Sequence, residues 1–336
     1  MIECLVGSEM CIRDSLQTMA TKGVHMRAAH DEGRCSVAYS PDGKQLITSG
    51  ADTLVKVFDA GDFNAEPRNI EGHEVAVTTL AINAKGKFFA TGTKDHTVSY
   101  FSYPAGDFQK HLVRLTVPIR HLSFDKTGRT LAVASDDAVI RLVNVGSPKS
   151  TEPAQYLSVR GHTDSILCIA FDPQGEYLAS SSADGTVKIW DISDEPKCIE
   201  TLQVTGKVPQ DGLRAAQLLR IAWHPTGQSL AVPYPAGVHV LARETWIAQA
   251  KLEGKHTKEV TMASWSPNGR YLCSAGLDKQ LFLWDVSSGE DLDRYKVDGD
   301  SFVCDIAWSP LANTVRPQPC TSPRIPARAP TPDPPT

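Results

Sequence analysis

Long apolar runs are missing from this 336-residue sequence. No stretch reaches the roughly 18 apolar residues that a membrane helix needs. The opening segment, Met1 to Thr21, carries Glu3, Glu9, Arg13 and Asp14, so it lacks the apolar core of a secretory signal. The eight cysteines (Cys4, Cys11, Cys35, Cys168, Cys198, Cys273, Cys304 and Cys320) form no CxxC pair and no dense framework. They read as reduced or incidental thiols, not as zinc ligands or disulfide staples. An excess of charge of one sign is also lacking. The 34 Lys and Arg stand against 39 Asp and Glu, a net of −5, which argues against a generic nucleic-acid or membrane surface. Catalytic signatures are missing: there is no G-x-S-x-G, no phosphate-binding loop and no HExxH. No enzyme, cofactor or metal site is therefore expected. Helix signals are weak except at Asp211–Leu219, which reads as a short helical or loop insertion. With 41% hydrophobic and 22% charged residues, the chain is nonetheless a folded one.

What is present is a repeat. Gly161 to Asp191 reads GHTDSILCIAFDPQGEYLASSSADGTVKIWD, and Lys255 to Asp285 reads KHTKEVTMASWSPNGRYLCSAGLDKQLFLWD. His162 and Trp190 are 28 residues apart, as are His256 and Trp284, His30 and Phe58, and His73 and Phe101. A turn ending in Gly recurs at Pro41–Gly43, Ala84–Gly86, Lys126–Gly128, Pro173–Gly175, Pro225–Gly227 and Pro267–Gly269, with a further start at Pro310. The spacings are 43, 42, 47, 52, 42 and 43, the period of a propeller blade. Within a repeat, Ser165–Phe171, Tyr177–Ser181 and Thr186–Trp190 read as strands separated by turns.

These segments resemble WD40 repeats over roughly residues 24–310. The resemblance implies an all-β, WD40 β-propeller, seven-bladed by family, with the last blade incomplete in this chain. It also implies a buried tetrad of His, Ser or Thr, Asp and Trp in each complete repeat. Carried over, the tetrads are His162, Ser180, Asp184 and Trp190, then His256, Ser274, Asp278 and Trp284. Partial sets are His30, Thr48 and Asp52 with Phe58, and His73, Thr91 and Asp95 with Phe101. The third repeat keeps only Asp137, with Val133 and Val143 in the other places. The fifth has Val232, Ala236 and Ala242. Phe has no donor, so those networks are expected to be weaker.

The order of degenerate repeats, with the strings TLAVASDDAVIRLVNV (130–145), RIAWHPTGQSLAVP (220–233) and RETW (243–246), is similar to the N-terminal propeller of the acidic nucleoplasmic DNA-binding protein family. That family includes the yeast chromosome transmission fidelity factor and is also called WD-repeat and HMG-box DNA-binding protein. It implies a nuclear, non-enzymatic scaffold, the arm of a replisome hub linking helicase, primase–polymerase and other replication or cohesion factors. Partners would be replication proteins or their peptides, with chromatin association indirect and no membrane or small-molecule substrate. The family's trimer is expected only of the full-length protein, since its second propeller and HMG box are not in this sequence. The alternative is a generic WD40 adaptor such as a ubiquitin-ligase substrate receptor. Many of those carry Arg two residues after the Asp of the WD pair, but here Ser193 follows Asp191 and Ser287 follows Asp285. Low-specificity rim candidates are Lys94, Arg120, Asp136, Asp164 and Lys258. His224 and His239 lack tetrad partners and read as core or surface residues.

Both ends break the pattern. Residues 1–18 resemble a non-native leader, 19–310 the propeller of six full repeats plus the start of a seventh, and 311–336 a Pro-rich tail. Of the 22 prolines, eight fall in residues 317–336, a composition that cannot sustain a strand ladder. This tail reads as disordered and as a frameshift or truncation product. A short strand near Val24–Arg27 should join Ser301–Trp308 in a last blade lacking its two middle strands, leaving the ring open or poorly closed.

Overall fold

A computed structural model describes residues 2–7, 15–20, 23–28, 30, 36–62, 65–146, 154–204, 219–297 and 302–310. Every element among them is a strand. Three N-terminal strands, β1 (Ile2–Gly7), β2 (Ser15–Ala20) and β3 (Gly23–Ala28), precede the first repeat. The first blade holds β4 (Ser36–Tyr39), β5 (Gln45–Ser49), β6 (Val55–Asp59) and β7 (Arg68–Ile70). The second holds β8 (Val77–Ile82), β9 (Phe88–Thr93), β10 (Thr97–Ser102) and β11 (Phe108–Arg114). The third holds β12 (Ile119–Phe124), β13 (Thr130–Ser135), β14 (Val139–Asn144) and β15 (Tyr156–Arg160). The fourth holds β16 (Ile166–Phe171), β17 (Tyr177–Ser182), β18 (Thr186–Asp191) and β19 (Lys197–Gln203). The fifth holds β20 (Ala222–Trp223), β21 (Ser229–Tyr234), β22 (Gly237–Ala242) and β23 (Ala248–Glu253). The sixth holds β24 (Val260–Trp265), β25 (Tyr271–Gly276), β26 (Gln280–Asp285) and β27 (Glu290–Lys296), and β28 (Phe302–Trp308) ends the series.

These strands form seven four-stranded antiparallel sheets. The inner strands β4, β8, β12, β16, β20, β24 and β28 touch in that order, and β28 touches β4, so the ring closes. The parallel bridge between Arg220 and Met262 shows neighbouring inner strands running the same way. Apolar side chains fill the wedges between sheets. Ile47, Val55 and Val57 of the first sheet pack on Leu80, Phe89 and Phe101 of the second. Ile140 and Val159 of the third pack on Ile169, Leu178 and Trp190 of the fourth. Sheets packed on a neighbour at each face have central strands that are buried on both faces, as β9 and β17 show.

The recurring glycine turn has one geometry. The amide of Gly43 donates to Ser40 O at 2.8 Å, and that of Gly175 to Asp172 O at 2.8 Å. Both glycines have positive φ, 69° and 85°, a region costly to any residue with a Cβ. This step ends one strand and starts the next at the same point in every repeat.

The last blade differs from the sequence expectation. Its order is β28–β1–β2–β3, so it is four-stranded and the ring is not left open. β1 pairs with β28 from Ile2↔Trp308 to Gly7↔Phe302, and with β2 from Ile2↔Met19 to Val6↔Ser15. The expected Val24–Arg27 strand is β3, on the outer edge. β1 and most of β2 lie in the segment read as a leader. Backbone pairing uses N–H and C=O groups that every residue but proline carries, so repeat markers alone do not reveal it. Across the seam, Asp305 Oδ2 accepts from Ser36 Oγ at 2.8 Å and from the Val37 amide at 3.2 Å. The insertion expected at Asp211–Leu219 falls, except for Leu219, outside the described residues, as does the tail 311–336.

A second difference is a one-residue slip in the fifth blade. Leu178 faces Trp190 in the fourth blade, whereas Leu230 faces Leu241, not Ala242, in the fifth. The β21–β22 connection is a two-residue turn, Pro235-Ala236, one residue shorter than its counterpart. A two-residue hairpin leaves no position for the turn Asp, and Leu241 fills the Trp site in the core between blades four and five.

The RETW string has a structural role. Arg243 bridges blades four and five, donating to buried Asp172 at 2.9 Å and to Glu176 at 2.6 Å. Its guanidinium lies 4.5 Å over the Tyr177 ring. Trp246 packs edge-on against both Tyr177 and Trp223.

Candidate interaction surface

In the fourth blade the strands β16 and β17 place the loop before Ile166 beside the turn 182–186, because Ile166 pairs with Ser182. His162 joins the two. Its Nδ1 is 2.8 Å from Asp184 Oδ2, its Nε2 is 2.7 Å from Ser180 Oγ, and Trp190 Nε1 donates to the same Oγ at 2.8 Å. The direction follows from chemistry. Indole N–H can only donate and an ionised carboxylate can only accept, so the Ser hydroxyl donates to His Nε2 and His Nδ1–H donates to Asp. Burial opposes the charge on Asp184, but hydrogen bonds from Thr186, the Thr163 amide and His162 outweigh it and bring its pKa to about 2. Gly161, with φ of 154°, precedes the histidine. A Cβ there would meet the Trp190 ring at 2.9 Å, so the GH pair of the repeat has a steric reason.

The sixth blade repeats this arrangement. His256 lies 3.1 Å from Asp278 and 2.8 Å from Ser274, and Trp284 Nε1 donates to Ser274 at 2.8 Å. In the first blade His30 lies 2.7 Å from Asp52 and 2.8 Å from Thr48, while Phe58 is buried without a donor. Lys56 adds an ion pair to Asp52 at 3.0 Å. Burial opposes the charge on Asp52, and the bonds from His30 and Lys56 overcome it, to about 2. The second blade is looser. His73 Nε2 is 3.2 Å from Thr91 Oγ1, and Asp95 accepts from the Thr93 and Thr97 hydroxyls at 2.5 and 3.1 Å. Burial, aided by the charge of His111 and partly offset by Asp95, lowers the His73 pKa to about 4.

In the third blade Val133 and Val143 are buried, and Asp137 is held by Arg141 at 2.5 Å and by Ser135 at 2.7 Å. This Arg–Asp pair substitutes for the histidine network and was not among the sequence candidates. Its signal was available: Arg four residues after the turn Asp, on strand β14.

All five rim candidates lie at the end of their sheets that carries the histidine loops. Lys94 is in the β9–β10 turn, Asp136 in the β13–β14 turn, Arg120 at the start of β12, and Asp164 and Lys258 ahead of β16 and β24. The structure brings Arg120 and Asp136 into one bidentate pair, at 2.6 and 2.7 Å. Asp164 Oδ1 caps the Ser165 amide at 2.7 Å. Lys94 and Lys258 are exposed, and Lys258 stands on a blade apart from the other four. His224 and His239 stand elsewhere. His224 lies 3.1 Å from Gly269 O and edge-on to Trp265, and His239 pairs with Glu253 at 2.5 Å. Among the described residues no cluster of three or more His, Cys, Asp or Glu is arranged to hold a metal ion.

Seven four-stranded sheets with His–Ser–Asp–Trp networks define this molecule as a WD40 β-propeller protein. Residues 27–316 match the family model described as the WDHD1 first WD40 domain, and the chain belongs to that family. It is 30% identical over 292 residues to WD repeat and HMG-box DNA-binding protein 1 of Mus musculus, covering 86% of this chain and 25% of that protein. It is 29% identical to Minichromosome loss protein 1 of Schizosaccharomyces pombe, covering 88% of this chain and 35% of that protein. Protein ENHANCER OF LHP1 1 of Arabidopsis thaliana is 31% identical, with 83% and 29% covered. The chain therefore spans between a quarter and about a third of these curated relatives.

Proposed function

We propose that this propeller is a non-enzymatic protein-interaction scaffold, the arm of a nuclear replisome hub that links helicase, primase–polymerase and other replication or cohesion factors at the fork. The observation that carries this reading is membership of the WDHD1 first WD40 domain family, joined to a rim whose charged side chains sit on turns fixed by buried networks. Lys94, Asp136 and Asp164 on turns, and Arg120 at the start of β12, stand at the same end of adjacent sheets, a placement that favours recognition of a partner segment. Partners are replication proteins or their peptides, and association with chromatin is indirect. The names of the relatives, DNA-binding and minichromosome loss, fit this setting. Affinity purification of the chain from nuclear extract tests it. Helicase or primase subunits should be recovered with the unaltered chain, and lost with Lys94→Glu plus Lys258→Glu, both exposed, at unchanged melting temperature. Recovery of ubiquitin-ligase subunits alone would favour the generic adaptor.

A further inference from the structure

The end of the propeller opposite the histidine loops carries a cleft of about 740 Å³ between the first and second blades, closed by Ser309 after β28. Its walls include the side chains of Tyr39, Asp42, Lys44, Asp59, Tyr103 and Pro104. The two carboxylates are held from behind. Asp42 Oδ1 accepts from Ser40 Oγ at 2.6 Å and from the Lys44 amide at 3.1 Å, and Asp59 Oδ1 accepts from the Gly61 amide at 2.8 Å. Both side chains are exposed, and neither forms an ion pair among the described residues. The Tyr103 hydroxyl donates to Gln45, and Arg68 donates to the carbonyls of Pro104 and Ala105, so the aromatic wall is fixed too.

We propose that this cleft docks an extended peptide segment of a partner protein through an arginine or lysine side chain. Two anchored carboxylates beside tyrosine rings suit a cation, which gains charge-assisted bonds and a ring face together. The volume exceeds that of one side chain and lies in the range of peptide and small-ligand sites. Lys44, the single cation of the lining, leaves the walls with one net negative charge and opposes a cationic guest, which makes its own contribution testable.

The probe is the acetylated, amidated pentapeptide Ala-Ala-Arg-Pro-Ala, titrated into the isotope-labelled chain, with Ala-Ala-Glu-Pro-Ala as its counterpart. Saturable shifts are expected at the amides of Gly43, Gly61 and Gly86 with the Arg peptide and not with the Glu peptide. Asp42→Asn with Asp59→Asn should weaken binding by about fivefold or more, and Lys44→Ala should tighten it by about twofold. Asn keeps an acceptor oxygen for Ser40 and Gly61, so this pair removes charge and not the turn. Absence of shifts at these amides, equal binding of the Glu peptide, or unchanged affinity in the Asn pair would overturn the proposal. So would binding seen only after Arg316, Arg324 and Arg328 are changed to Ala, which would assign the cleft to this chain's own 311–336 segment.

Discussion

Ser180 is the residue on which the fourth-blade network turns, because its one hydroxyl serves two ring systems. It accepts from Trp190 and donates to His162, and all three are buried. Ser180→Ala leaves an indole N–H and an imidazole nitrogen unpaired in a buried site, at about 1–3 kcal/mol each. Denaturant unfolding should show a loss of roughly 2–6 kcal/mol, whereas Trp190→Phe, which copies the first and second blades, should cost less. A second expectation concerns acid. The folded pKa of His73, about 4, lies below the ordinary 6.5. The unfolded chain therefore binds this proton first, and stability falls as pH drops from about 6.5 toward 4. Asp52 and Asp184, both near 2 in the fold, add a further loss from about pH 4 down to 2. Unfolding free energy measured across this range should decline in those two windows. His73→Gln should shrink the upper one, and the buried His162, whose pKa burial also lowers, keeps the remainder.

At the scale of elements, the blades are joined by side chains that the repeat pattern does not mark. Arg243 is the clearest case. It spans two sheets to reach Asp172, which has no exposed surface, and no local periodicity places a strand-end Arg against a carboxylate 71 residues away. Arg243→Ala leaves Asp172 without its counter-ion and removes the cover over Tyr177. A loss of about 3 kcal/mol is expected in equilibrium unfolding. Arg243→Lys should recover only part of it, because one ammonium cannot serve Asp172, Glu176 and the ring together. The glycine turns, by contrast, were legible residue by residue. His162, Ser180, Asp184 and Trp190 have spacings set within one blade, and hydrogen bonds join them there. The Leu241 position was not legible, because a turn shortened by one residue shifts the register and leaves the sequence marker behind.

For the whole molecule the question is closure. The seventh sheet takes its inner strand from residues 302–308 and its other three from residues 2–28. Starting the chain at Met19 removes β1 and nearly all of β2, so β28 loses its neighbour within the sheet. A fall in melting temperature of roughly 5–10 °C is expected by calorimetry, and an unchanged melt would show that these strands do not hold the ring together. The seam bonds from Asp305 to Ser36 and Val37 then remain as the polar tie between the last blade and the first.

The sequence by itself determined the blade: its period, its two turns and the composition of its buried network. All of these follow from steric and hydrogen-bond demands within about 30 residues, such as the positive φ of Gly175 and the reach of His162 to Asp184. Tertiary structure decided what joins distant parts of the chain. The pairing of β1 with β28, the Arg243 clamp and the cleft walled by Tyr39 and Tyr103 come from closing a ring. Ring closure sets which blade ends meet, and no local spacing carries that information.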